Sequence, residues 1–114
     1  MKLILVLYLL FFSLNTTAQN LEDLVKEAAD LFLNEQYQKA IPAAEKAAAG
    51  IKEVLGENND LYIGLLIIQA TSYENTFQYL KAESLYTQAG ELMKKTAGEK
   101  SKSFTAFLHN LASL

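Results

Sequence analysis

Apolar and small residues recur at helical spacing through most of the chain, and strand-type alternation is missing. Leu24, Ala28 and Leu31 fall on one face of a first helix expected over about Leu21–Leu33. Asn20 is placed to cap it ahead of Glu22 and Asp23, where the helix dipole favours acid. Asn34 is the residue suited to the left-handed conformation that ends it. A second helix follows over about Tyr37–Leu55 and is closed by Gly56, with Pro42 near its first turn, where the missing N–H costs least. Asn58-Asn59-Asp60 is a turn-and-cap cluster opening a third helix, Leu61 to about Asn75. A fourth is expected from about Phe77 to Thr96, stopped at Gly98, and a fifth from Ser101 or Ser103 to Leu114. Gly50, Gly64 and Gly90 interrupt otherwise strong helical patterns. The third helix is distinct: Leu61-Tyr62-Ile63-Gly64-Leu65-Leu66-Ile67-Ile68 is apolar nearly all round, as befits a helix with neighbours on several sides.

The pattern also repeats at long range. Gln36-Tyr37-Gln38-Lys39-Ala40 returns 42 residues later as Gln78-Tyr79-Leu80-Lys81-Ala82, and Gly56-Glu57 returns as Gly98-Glu99. Ala47 returns as Ala89 and Lys52 as Lys94; Leu24, Leu66 and Leu108 share a phase, as do Ala28, Ala70 and Ala112. A fixed period of this size implies stacked units, each burying its apolar face against its neighbours. Ala28, Ala40, Ala47, Ala70, Ala82 and Ala89, with Ala112, are the small positions that let helices approach. Leu24, Leu31, Tyr37, Leu66, Tyr73, Tyr79, Tyr86 and Leu108 are the larger side chains expected to fill the gaps between them. The fold expected is all-α, five antiparallel helices in a linear stack.

The spacing Leu66-x3-Ala70-x2-Tyr73-x8-Ala82-x3-Tyr86-x2-Ala89 resembles the tetratricopeptide repeat (TPR), whose usual unit is about 34 residues. The longer second helix, ending in Leu55-Gly56-Glu57-Asn58, is similar to the 42-residue variant of kinesin light chains and of repeats upstream of bacterial CHAT domains. The resemblance implies a short right-handed α-solenoid of about two and a half units: about 21–57, about 61–99, and a half unit over 101–114. Three residues depart from the family pattern. Glu35 and Phe77 stand where the turn often has Gly, leaving Asn34 and Asn75 or Thr76 to make those turns, and Gln69 replaces a large apolar residue, expected near the helix edge. The family's basic clamp for C-terminal carboxylates is absent. In such repeats the first helix of each pair lines a concave groove, which here implies Glu22, Val25, Ala29, Phe32, Ile67, Thr71, Glu74, His109 and Ser113. That surface is mixed apolar and acidic, and suits a peptide carrying Lys or Arg beside an aliphatic anchor.

The first residues are set apart from this pattern. Met1-Lys2 precedes ten unbroken apolar residues, Leu3–Phe12, and Ser13–Ala18 is mostly polar with small residues at Thr16 and Ala18. This is the order of a secretory signal peptide cut after Ala18, and the apolar run is too short for a spanning helix of about 20 residues. Residues 1–18 are thus expected to be a signal peptide and 19–114 one exported repeat domain, periplasmic or extracellular, with no stable membrane anchor after cleavage. Without Lys2 the chain holds nine Lys against thirteen Asp and Glu, a formal charge of −4, which argues against nucleic acid. Cysteine is absent, so disulfides, thiol catalysis and thiolate metal sites are excluded.

No catalytic constellation emerges. His109, the single histidine, is expected on the polar side of the fifth helix, opposite Phe104, Phe107, Leu108 and Leu111, with no nucleophile or orienting acid fixed beside it. The Lys94, Lys95, Lys100 and Lys102 cluster suits a helix C-terminus, the reading favoured over anion binding, and the dispersed glycines form no phosphate-cradling loop. The expected function is a non-enzymatic, cofactor-free, exported scaffold for protein–protein contacts. Two alternatives accompany it. One is the repeat portion of a longer exported protein, with a CHAT-type peptidase downstream. The other is a self-assembling module associating through Phe104, Phe107, Leu108 and Leu111.

Overall fold

The computed structural model describes residues 20–97. The expected leader with its cut at Ala18, Ala112, and the expected fifth helix with Phe104, Phe107, Leu108, His109, Leu111 and Ser113 lie outside the described residues. Every element within the described residues is a helix. Residues 20–33 are helical and form α1; α2 is Tyr37–Leu55, α3 is Asp60–Asn75 and α4 is Tyr79–Ala97. Helix α3 packs on both α2 and α4, the central position that its apolar circumference calls for. Its buried residues include Tyr62, Ile63, Leu65, Leu66 and Ala70.

The small positions do what their spacing implies. Ala28, Ala40, Ala47, Ala70, Ala82 and Ala89 have 0% exposed surface, so helix backbones meet at each of them. A larger side chain at any of these would force the helices apart, which typically costs about 1–3 kcal/mol. At Gly50 a Cβ would meet the Leu21 Cδ2 methyl, so a larger residue there would make the Leu21 side chain turn aside. Of the larger partners, Tyr86 and Leu66 are buried, and Leu24 and Tyr73 pack half-buried against the core. Tyr79 is a correction: at the first residue of α4 it has neighbours on one side only and is 50% exposed.

The two hairpins, α1–α2 and α3–α4, close alike. The N–H of Gln36 donates to Leu31 O and that of Glu35 to Phe32 O, a Schellman closure of α1. Forty-two residues on, Gln78 donates to Tyr73 O and Phe77 to Glu74 O. The left-handed residue is Glu35 in the first (φ 58) and Phe77 in the second (φ 67), so Asn34, Asn75 and Thr76 do not take that role. They serve the preceding carbonyls instead: Asn34 Nδ2 reaches Asp30 O, Asn75 Nδ2 reaches Thr71 O, and Thr76 Oγ1 reaches Ser72 O. The hydrogen-bond pattern requires a positive φ at the residue before the pivot glutamine, whatever residue stands there. Because Phe77 makes this turn, α4 begins at Tyr79 rather than at Phe77.

Between the hairpins, Gly56 (φ 81) ends α2, and Asn59 caps α3 by accepting from Tyr62 N at 2.8 Å. The Asn59 amide also donates to Gly56 O at 2.7 Å, so one side chain fixes both ends of the connection. Asn20, expected as a cap, already lies within α1. Gln69, expected at the helix edge, is buried with 6% exposure, because it lies where α3 meets both α2 and α4, near Glu45 and Leu85. Ser72 on the same side is fully buried, and its hydroxyl has no hydrogen-bond partner.

Candidate functional site

The residues expected to line a groove divide into three groups. Glu22 and Val25 open onto a shared cleft, described below. Ala29, Phe32 and Ile67 are half-buried; Phe32 meets Tyr37 edge-on at 6.0 Å within the first hairpin, and Ile67 packs against the core. Thr71 and Glu74 are drawn into a polar knot around Tyr86 of α4. The phenol donates to Glu74 Oε2 at 3.1 Å, so its oxygen accepts from Thr71 Oγ1 at 2.7 Å. Burial pushes the Tyr86 hydroxyl up to about 12; the Thr71 bond works against this and the Glu74 carboxylate adds to it. These groups bind the second hairpin together, with Thr71 Oγ1 and Glu74 Oε2 both engaged by Tyr86.

A second tie joins the hairpins to each other. Tyr73 of α3 donates its hydroxyl to Glu45 Oε1 of α2 at 2.9 Å, while Lys81 of α4 holds its ammonium 5.4 Å above the same ring. Partial burial and then the Glu45 carboxylate raise the Tyr73 hydroxyl above its ordinary value. Groove residues and core residues are therefore not separate sets on α3: its outward side is largely committed to α4.

The open concavity lies at the other end of the helices, where α1 begins, α2 ends and α3 begins. It is a cleft of about 510 Å³. Helix α1 contributes Leu21 and Val25 to the floor, with Glu22 and Lys26 at the rim. Ile51, Val54 and Leu55 of α2 form the facing wall, and Leu61 closes it from the first turn of α3. Ile51 is buried, whereas Val54 is 58% exposed, Leu55 60% and Leu61 42%. These apolar side chains are held open to solvent by helix ends that the Gly56 turn and the Asn59 cap keep apart. Beside them Lys52 and Glu57 pair at 2.9 Å across that turn, and the hydrogen bond that Lys52 donates to the Glu57 carboxylate raises the ammonium above its usual value. Both partners are well exposed, so the pair orients the turn more than it stabilises it.

The family pattern assigns grooves to first helices only, which is why Val54, Leu55 and Leu61 were not expected in a site. The visible signal was the apolar pair Val54-Leu55 directly before Gly56, at a helix end where polar residues are usual. Chemically, the cleft can bury an aliphatic or aromatic side chain at roughly 25 cal/mol per Å² and set a charge against Glu22 or Lys26. Among the described residues no three His, Asp or Glu side chains converge as metal ligands, and no helix is long and apolar enough to cross a membrane. No protein-family model matches this chain, and no curated protein matches it significantly.

Proposed function

We propose that this protein is an exported, tetratricopeptide-like scaffold that holds another polypeptide and performs no chemistry of its own. The observation that carries the reading is the cleft between α1, α2 and α3: an apolar floor and wall left open to solvent, with one acidic and one basic residue at the rim. A partner segment with an aliphatic or aromatic anchor beside a Lys or Arg matches it, the anchor against Val25, Val54 and Leu61 and the cation at Glu22. Two findings support the repeat reading: the Schellman closures 42 residues apart and the six fully buried alanines at equivalent positions. Export rests on the leader-like order of residues 1–18.

The test is selection of displayed peptides on the whole chain, followed by binding to Val54→Lys. The reading expects selected peptides to share an apolar anchor next to a basic residue, and to lose at least tenfold in affinity on the variant. Peptides that bind wild type and variant equally would remove the cleft from the account. Export is tested by N-terminal sequencing of the protein recovered from outside the cytoplasm, with Gln19 expected as the first residue.

A further inference from the structure

The second hairpin carries an apolar protrusion that its own fold does not use. Phe77 is 78% exposed, Leu80 83% and Tyr79 50%, all at the α3–α4 turn. The first hairpin supplies an internal comparison. Its equivalent residues, 42 positions earlier, are Glu35, Gln38 and Tyr37, and its turn has the same hydrogen bonds and the same positive φ. The turn therefore needs neither Phe77 nor Leu80. Phe77 moreover holds a left-handed backbone, unfavourable for any residue with a Cβ, while burying little of its ring. The cleft shows the converse one-sidedness: Val54 and Leu55 correspond to Thr96 and Ala97 in the second hairpin. One copy of the unit carries the apolar tip, and the other carries the apolar cleft.

We infer that the occupant of the cleft is the Phe77–Lys81 tip of a second copy of this chain. The inference rests on the reading of the cleft as a side-chain receptor. Tip and cleft lie at opposite ends of α3, whose sixteen residues span roughly 24 Å, so a copy does not fill its own cleft. Apolar character and charge both match. Phe77 and Tyr79 stand edge-on at 6.3 Å beside the exposed Leu80, and the cleft offers them apolar walls. Leu80-Lys81 is the anchor-plus-cation pair that the cleft suits; Lys81 is exposed, and on docking its ammonium exchanges the Tyr73 ring for Glu22. Because the two surfaces differ, the contact is heterologous and propagates head to tail rather than closing as a symmetric dimer. The tip's few side chains put the interface at the small, transient end of the range.

The experiment is sedimentation equilibrium on the chain as it accumulates when the whole reading frame is expressed, over about 10 µM to 1 mM. Wild type is expected to show an average mass that climbs with concentration past the dimer. Phe77→Glu with Leu80→Gln, the residues that already serve the first turn, and separately Val54→Lys, are each expected to weaken association at least tenfold with helicity unchanged. Mixed together, these two variants should form a one-to-one dimer and nothing larger, since each retains one of the two surfaces. A wild type that stays monomeric, a mixture that fails to pair, or association lost in the cleft variant but intact in the tip variant would each overturn the proposal. Binding of selected peptides separates the two ideas: if Val54→Lys loses the peptides while wild type is monomeric, the receptor reading stands and self-docking falls. If no peptide binds either, both fall.

Discussion

Glycine at position 35 should make this protein more stable. Glu35 holds φ 58 at the end of α1, a conformation that costs an L-residue about 1–2 kcal/mol. Glycine removes that term and returns about 0.5–1 kcal/mol through the greater freedom of the unfolded chain. The Glu35 side chain is exposed and makes no hydrogen bond or ion pair among the described residues, so little else is lost. Its charge lies after the negative end of α1 and before the positive end of α2, where the two dipole effects largely cancel. Glu35→Gly is therefore expected to gain about 0.5–1 kcal/mol, and Glu35→Ala, still burdened by a Cβ, about zero. The assay is urea denaturation followed by far-ultraviolet circular dichroism, with the midpoint rising at unchanged slope. For a domain of this size the gain corresponds to about 4 °C in Tm. Phe77→Gly should gain less, because it also removes the edge-on contact with Tyr79 at 6.3 Å. Equal midpoints for Glu35→Gly and Glu35→Ala would refute the left-handed turn itself.

The remaining expectations follow from the same geometry. Ser72→Ala removes a buried hydroxyl without a partner and should stabilise by about 1 kcal/mol in the same assay; a loss would mean that the hydroxyl has a partner. Asn59→Ala deletes both the cap on Tyr62 N and the bond to Gly56 O and should cost about 1–2 kcal/mol, read as a lower urea midpoint. Because the folded Tyr86 hydroxyl is raised from 10.0 to about 12, the neutral form is favoured by folding. Its contribution is complete below about pH 10 and disappears as pH rises from 10 toward 12. That is on the order of 2 kcal/mol, with Tyr73 acting in the same direction. Urea midpoints across that window should fall for wild type and fall less for Tyr86→Phe; parallel slopes would exclude the phenol.

Much of this fold could be read in the chain because its signals are local and redundant. The bounds of α2 follow from helix-favouring residues between Gln36 and Gly56, and the buried alanines follow from spacing alone. What went astray depended on tertiary geometry. Asn34 has the better intrinsic preference for a left-handed residue, yet the Schellman hydrogen bonds place that conformation one residue later, at Glu35. Polar chemistry pointed Gln69 outward, but its place on α3 between α2 and α4 buries it. Of the residues expected to line a groove, Glu22 and Val25 line the cleft, whereas Thr71 and Glu74 turn to Tyr86, a partner set by how α4 lies across α3. Val54, Leu55 and Leu61 come from the ends of two other helices, and no periodicity in one helix reveals a concavity formed among three.

The most direct test of the scaffold account is a nuclear magnetic resonance titration of the isotopically labelled chain with the tightest peptide from the display selection. The account expects the methyl resonances of Leu21, Val25, Val54, Leu55 and Leu61 to shift together and saturably, while the fully buried Ala70 and Ala89 methyls stay in place. Shifts confined to other surfaces, or a selection that yields no peptide sensitive to Val54→Lys, would contradict it.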